Sequence, residues 1–225
     1  MPRAWVRFAF DQFYNRFAFT YDAVSAAVSR GEWTYDAVSA AVSRGEWRAW
    51  TRAALPFVRG ARVLEIAFGT GNLHLDLYAA GYTPVGIDLS PYMLALTQKK
   101  LRVQRRAPRL ARADVCALPF PSDFFSTLVM TFPPGFIFNP AARREMYRVL
   151  EPRGRLVWVD AAELDAENVW GRFINRAFQI TGTGAPPDAR TQLFQATFDA
   201  ARWTWRVETA RARASRVQVV IAEKK

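Results

Sequence analysis

Residues 60–81 read GARVLEIAFGTGNLHLDLYAAG, an apolar strand, a Gly-x-Gly turn and an amphipathic helix in direct succession. Gly69 and Gly71 let the backbone turn tightly and pass close beneath a ligand, and the helix that follows offers its unpaired N–H groups there. A second apolar run, Pro84-Val-Gly-Ile-Asp88, ends in an acid. A carboxylate roughly 20 residues beyond a glycine turn is placed to accept from ribose hydroxyls, so the pair brings a nucleotide-like ligand to the carboxyl edge of a parallel sheet.

The pattern continues outward from this stretch. Arg62–Ile66 reads as the first strand and Asn72–Ala80 as the helix after it, closed by Gly81; Pro84–Ile87 is the second strand. Ser90-Pro91 opens a helix to about Val103 with a capping side chain and a proline at its first position. Leu110–Ala113 is a third strand ending at Asp114, Phe125–Thr131 a fourth, and Asn139-Pro140 starts a helix to Leu150. Glu151-Pro-Arg-Gly154 reads as a turn before a fifth strand, Leu156–Val159. A mostly helical stretch is broken by Gly182-Thr-Gly-Ala-Pro-Pro187, and two strands follow near Trp203–Thr209 and Val217–Ala222. Alternating strands and helices with short links imply a doubly wound α/β fold with a mostly parallel seven-stranded sheet, and the close final pair implies an antiparallel edge hairpin.

The 225 residues are enough for one substantial core, and hydrophobic residues make up 51% of them. One cysteine (Cys116) and one histidine (His74) exclude a disulfide framework and argue against a zinc site. No apolar run approaches the ~20 residues that span a bilayer. The opening MPRAWVRFAFDQFYNRF lacks the apolar stretch of a secretory signal, so a cytoplasmic location is expected. The formal charge is +11, and 27 of the 31 basic residues are arginine. Arginine suits phosphate, on nucleic acid or on a membrane surface, while a merely solvated basic surface has the same composition.

Thr20–Trp33 and Thr34–Trp47 are the same 14 residues in tandem, TYDAVSAAVSRGEW. Perfect identity marks a recent or engineered duplication. Each copy reads as a short helix with a threonine cap, an early aspartate and a closing glycine (Gly31, Gly45). One copy is surplus to a site built for one. The second, contiguous with Arg48 and Trp50, is expected in the native place, and the displaced first copy could be accommodated by a domain-swapped homodimer.

Glu65-Ile-Ala67-Phe-Gly69-Thr-Gly71 resembles the first motif of class I S-adenosylmethionine-dependent methyltransferases, acid-x-Gly-x-Gly-x-Gly, with Ala67 in place of the first glycine. Asp88 matches that family's ribose-binding acid, and Asp114 the acceptor for the adenine amino group. Arg143-Arg-Glu-Met-Tyr-Arg-Val-Leu-Glu-Pro-Arg-Gly-Arg-Leu156 matches the fourth helix, turn and fifth strand. Upstream, Tyr35-Asp36, Ser43, Gly45, Arg48, Trp50 and Arg52 are similar to the N-terminal signature of the ubiquinone/menaquinone biosynthesis methyltransferases. Leu118-Pro-Phe-Pro121 is similar to theirs as well, and bacterial phosphatidylethanolamine N-methyltransferases share much of the plan. The resemblance implies a Rossmann-like domain over 53–225 and an N-terminal helical lid over 1–52. It implies S-adenosylmethionine as cofactor, held by Glu65, Ala67, Gly69, Gly71, Asp88, Leu89, Asp114, Val115 and Thr131, with Tyr35 or its twin Tyr21 in the lid.

The acceptor is expected to be a lipophilic small molecule, a quinone precursor or a phospholipid headgroup. Where amino-group methyltransferases place Asn/Asp-Pro-Pro-Tyr/Phe, this chain has Thr131-Phe-Pro-Pro-Gly-Phe136. Phe132 offers no acceptor to an amine, and Phe136, Ile137 and Phe138 suit a greasy substrate or simply a core. Trp5, Phe8, Phe10, Phe13 and Phe17, interleaved with Arg3, Arg7 and Arg16, suit peripheral contact with anionic membrane at the inner face. An RNA or protein methyltransferase, with charge as its support, and a non-catalytic S-adenosylmethionine-binding protein are the alternatives. His74 reads as a partly buried helix residue, and no catalytic base is assigned.

Overall fold

The computed structural model describes residues 43–133, 135–164 and 194–225. The expectations for Tyr21, Tyr35, the first repeat copy, most of the second and the 182–187 break lie outside the described residues.

Seven strands form one sheet: β1 (Val63–Ile66), β2 (Val85–Asp88), β3 (Leu110–Arg112), β4 (Phe125–Thr131), β5 (Leu150–Leu164), β6 (Trp203–Ala212) and β7 (Ser215–Lys224), in the order β3-β2-β1-β4-β5-β7-β6. The first five are parallel; β7 runs antiparallel between β5 and β6. The order reverses between β1 and β4, the switch point outside which doubly wound sheets bind their ligands. Among the described residues the helices include α1 (Trp47–Arg52), α2 (Asn72–Ala79), α3 (Pro91–Val103) and α4 (Pro140–Val149). Short 3₁₀ turns lie at Leu55–Phe57 and Gly135–Phe138.

Alternation along the strands divides the core. Leu64, Leu128, Met130, Leu156, Trp158 and Val220 face α4 and the aromatic side chains of Phe194, Phe198 and Trp203. Val63, Val129, Val157, Val159, Val217 and Val219 face α1 and α2. Both sides are buried, as strands with near-continuous apolar runs require. Ser90 caps α3, accepting from Met93 N–H at 3.3 Å, and Asn139 caps α4, accepting from Ala141 N–H at 2.9 Å.

The strand boundaries follow the sequence reading within a few residues, except at β5. Glu151-Pro-Arg-Gly154 is not a free turn. It is an irregularity within a 15-residue strand, with Arg153 at φ +62° and the register to β4 shifting between Phe125 and Thr127. Five steps on β5, Leu150 to Arg155, face two on β4, so the irregularity absorbs three extra residues while the strand continues on either side.

One ion pair fixes α1 to α2. Asp76 is buried on α2 and accepts from Arg48 Nη2 at 2.8 Å and from Arg52 at 2.9 and 2.7 Å. Arg48 and Arg52 are one helical turn apart, so both guanidinium groups reach the same carboxylate. Beside them Trp50 Nε1 donates to Ser215 Oγ at 2.7 Å, and Ser215 Oγ donates to Glu46 Oε2 at 3.0 Å, tying α1 to the start of β7. Burial works to raise the Asp76 carboxyl, but the hydrogen bonds from Arg52 and Arg48 prevail and hold it below the usual range. A depressed acid adds stability above its ordinary value of about 4, and that stability is lost as pH falls through the folded-state value. Asp76→Ala is therefore expected to lower unfolding free energy by about 1–3 kcal/mol at pH 7 and by less at pH 3, checked by urea denaturation at both.

Candidate active site

The carboxyl ends of β1 and β2 lie side by side, with Ile66 opposite Ile87. After β1 the chain makes a turn rich in left-handed residues: Ala67 (φ +55°), Gly69 (φ +53°) and Gly71 (φ +74°). Gly71 has a second reason to be glycine, because a Cβ there would stand 2.3 Å from the Thr97 methyl group. A Cβ on Gly69 would meet no protein atom within 4 Å, so that side of the turn is open. Ala67 takes the left-handed conformation without being glycine, a strained choice in sparsely populated space.

Asp88 holds this turn. Gly69 N–H donates to its Oδ2 and Ser90 N–H to its Oδ1, each at 2.9 Å. Thr97 Oγ1, from α3, donates to Gly69 O at 3.0 Å. Burial pushes the Asp88 carboxyl up, and the backbone donors of Ser90, Gly69 and Leu89 pull against it. Leu89 is 61% exposed at the rim. Asp114 follows β3, exposed, with its Oδ1 accepting from Cys116 N–H at 2.8 Å, and Val115 beside it is buried. Thr131 ends β4, half-buried.

The structure therefore gathers Ala67, Gly69, Gly71, Asp88 and Leu89 around one turn, places Asp114 and Val115 after β3, and puts Thr131 at the end of β4. Glu65 differs in kind. Its side chain is enclosed, and Oε2 and His74 Nδ1 share a hydrogen bond of 2.7 Å. His74 is fully buried rather than partly so, packed edge-on against Tyr78, and its Nε2 has no hydrogen-bond partner. An enclosed imidazole anchored to a carboxylate does not reach a substrate, so His74 is a packing and positioning residue. The sequence reading also did not select Thr97, whose hydroxyl and methyl group support the turn from below. An isolated threonine in an amphipathic helix carries no signal of that role.

At the end of β4, Phe132 takes φ +47° and stacks on Trp47 at 4.8 Å between ring centroids, with Trp50 edge-on at 6.1 Å. The three rings join α1 to the loop where an amine acceptor would be expected, and they offer none. Across the sheet, Leu118 N–H donates to Glu145 Oε2 at 2.8 Å, and Arg148 donates to the carbonyls of Phe120 and Leu118 at 2.8 and 3.0 Å. The Leu118–Pro121 loop and the Arg-Glu-Met-Tyr-Arg helix thus form one unit.

Residues 63–154 match the family model described as a methyltransferase domain. That match spans under half of the chain, and the class implied by the sequence resemblance is the S-adenosylmethionine-dependent one. The domain is 41% identical over 99 residues to a demethylmenaquinone methyltransferase of Thermus thermophilus, covering 43% of this chain and 45% of that one. It is 32% identical over 145 residues to one of Lactiplantibacillus plantarum, covering 60% of this chain and 61% of the other. The chain spans about half the length of the curated relatives it matches first. Among solved structures, a putative S-adenosyl-L-methionine-dependent methyltransferase from Methanococcus maripaludis superposes with a TM-score of 0.60 at 15% identity, covering 85% of this chain and 91% of the other. A [4+2]-cyclase superposes at 0.54 with 17% identity, covering 79% of this chain and 80% of that one, so this fold by itself does not name a reaction.

The cradle fits the cofactor of that class: an open glycine turn at a helix N-terminus, with a buried carboxylate at the neighbouring strand end. Asp88→Ala removes the carboxylate that closes this turn and frees the Gly69 and Ser90 amides. S-adenosylmethionine affinity is expected to fall roughly tenfold to a hundredfold by calorimetry.

The buried pair makes a separate prediction. Burial raises the Glu65 carboxyl and the His74 hydrogen bond opposes that rise. A raised acid contributes stability that is present below its ordinary value of about 4.3 and lost as pH climbs through the folded-state value. His74→Leu removes the opposing contact and steepens that loss. The variant is expected to lie near wild type at pH 4.5 and roughly 3 kcal/mol below it at pH 8, measured by urea denaturation.

Proposed function

We propose that this protein transfers a methyl group from S-adenosylmethionine to a lipophilic small molecule of the quinone-precursor type. The observation that carries the acceptor class is the apolar end of β4. Phe132 stands where an amine would need an oxygen acceptor, and its ring is closed over by Trp47 and Trp50. The relatives named demethylmenaquinone methyltransferase support the same reading.

The bound cofactor supplies a methyl group activated on a sulfonium. The protein's part is to orient, exclude water and align the acceptor with the carbon–sulfur bond. Asp88 would hold the ribose, and the Gly69–Gly71 turn would take the cofactor on its open side. The Trp47–Trp50–Phe132 cluster keeps water from the end of β4. His74 takes no part in proton transfer.

A greasy acceptor partitions into membrane, and the net charge of +11 suits contact with an anionic surface. No helix among the described residues is long and apolar enough to cross a membrane, which leaves peripheral contact as the proposed mode. The test is methyl transfer from isotopically labelled cofactor to a demethylated quinone, phosphatidylethanolamine vesicles and bulk RNA in parallel. Label in the quinone alone is the expected result. Label in phospholipid or RNA alone would overturn the acceptor class while leaving the cofactor assignment standing.

A further inference from the structure

We propose that β6 is a self-complementary edge through which two copies of this chain pair, antiparallel, about a two-fold axis at Val207. β6 is the terminal strand of the sheet and is ten residues long. Edge strands of that length are normally protected from pairing by like charges, proline or a bulge. β6 has no proline, and its register to β7 runs without a shift from Trp203 to Ala212. At its centre Val207 is 39% exposed, one of three large apolar side chains so exposed among the described residues.

The backbone is poised for this pairing. Lys225 N–H donates to Arg202 O at 2.9 Å, one step beyond the Trp203–Lys224 pair. Hydrogen-bonded pairs alternate along an antiparallel ladder. Thr204, Arg206, Glu208 and Ala210 therefore turn their N–H and C=O groups toward β7. Trp205, Val207 and Thr209 turn theirs to the open side. Val207 opposite Val207 of a second copy is then a hydrogen-bonded pair, and Trp205 and Thr209 make two more across the axis.

Charge selects the same register. Arg206 and Glu208 share the face opposite Trp205 and pair with each other at 2.9 Å, both about half exposed. With the axis at Val207, each Arg206 falls directly across from the second copy's Glu208, giving two ion pairs related by symmetry. Thr204 then meets Ala210, Trp203 meets Arg211, and no two like charges are opposed. Sliding one strand by two residues places Arg206 on Arg206 or Glu208 on Glu208, which is unfavourable. An isologous pairing of this kind closes at two copies and joins the two sheets into one.

Sedimentation velocity on the full chain across a concentration range tests it. Wild type is expected to pass from the 25.5 kDa species to one of twice that mass. Arg206→Glu and Glu208→Arg, each alone, are expected to raise the dimer dissociation constant about tenfold or more. An equimolar mixture of the two variants is expected to recover the dimer, because the two altered strands are complementary to each other. A role confined to folding within one copy would not produce that rescue. A wild type that stays monomeric, single variants that dimerise like wild type, or a mixture that fails to recover would each overturn the proposal. If either variant does not fold, hydrogen exchange on wild type decides. Protection of the Trp205, Val207 and Thr209 amides that grows with concentration supports the pairing, and its absence overturns it.

Discussion

Both oxygens of Asp88 accept backbone N–H groups from turns on either side of the sheet edge, Gly69 after β1 and Ser90 after β2. This carboxylate is mostly buried, and burial alone favours its neutral form. The turn amides make the charged form tolerable, and the charged form in turn holds the backbone in left-handed space. The turn is therefore held by the protein's own hydrogen bonds. Thr97 reinforces it from α3, so the third element of the fold is recruited to the same turn.

A second constraint acts from the other side. Asp76 sits in an apolar helix, buried, and needs two guanidinium groups to be tolerable there. Those come from a segment that precedes β1, which is why α1 lies across α2 and brings Trp47 and Trp50 to Phe132. The same segment reaches β7 through Trp50, Ser215 and Glu46. A carboxylate thus decides where the aromatic cover over the end of β4 is placed.

Much of this was legible in the chain. Gly69, Gly71 and Asp88 announce the cradle because steric freedom and a strand-terminal acid are local properties. Ser90-Pro91 and Asn139-Pro140 mark helix starts for the same reason. The partners of Asp76 and Glu65 were not legible, since pairing across the fold leaves no periodic trace. The signal available was an acid inside an apolar run, LHLDLY around Asp76 and VLEI around Glu65, which demands a partner without naming it. Pro152 and Gly154 read as chain breakers, yet β5 runs through them. Whether such residues end a strand or only bulge it depends on the neighbouring strand, here β4.

The position of β7 between β5 and β6 has a kinetic side. β4 and β5 are joined by one helix and can pair early, whereas Leu156 must wait for Ala222. Non-local pairing of this kind slows folding and lengthens the life of sticky intermediates. The β6–β7 hairpin is local in sequence, so its pairing with β5 is the closure that carries the larger loop cost.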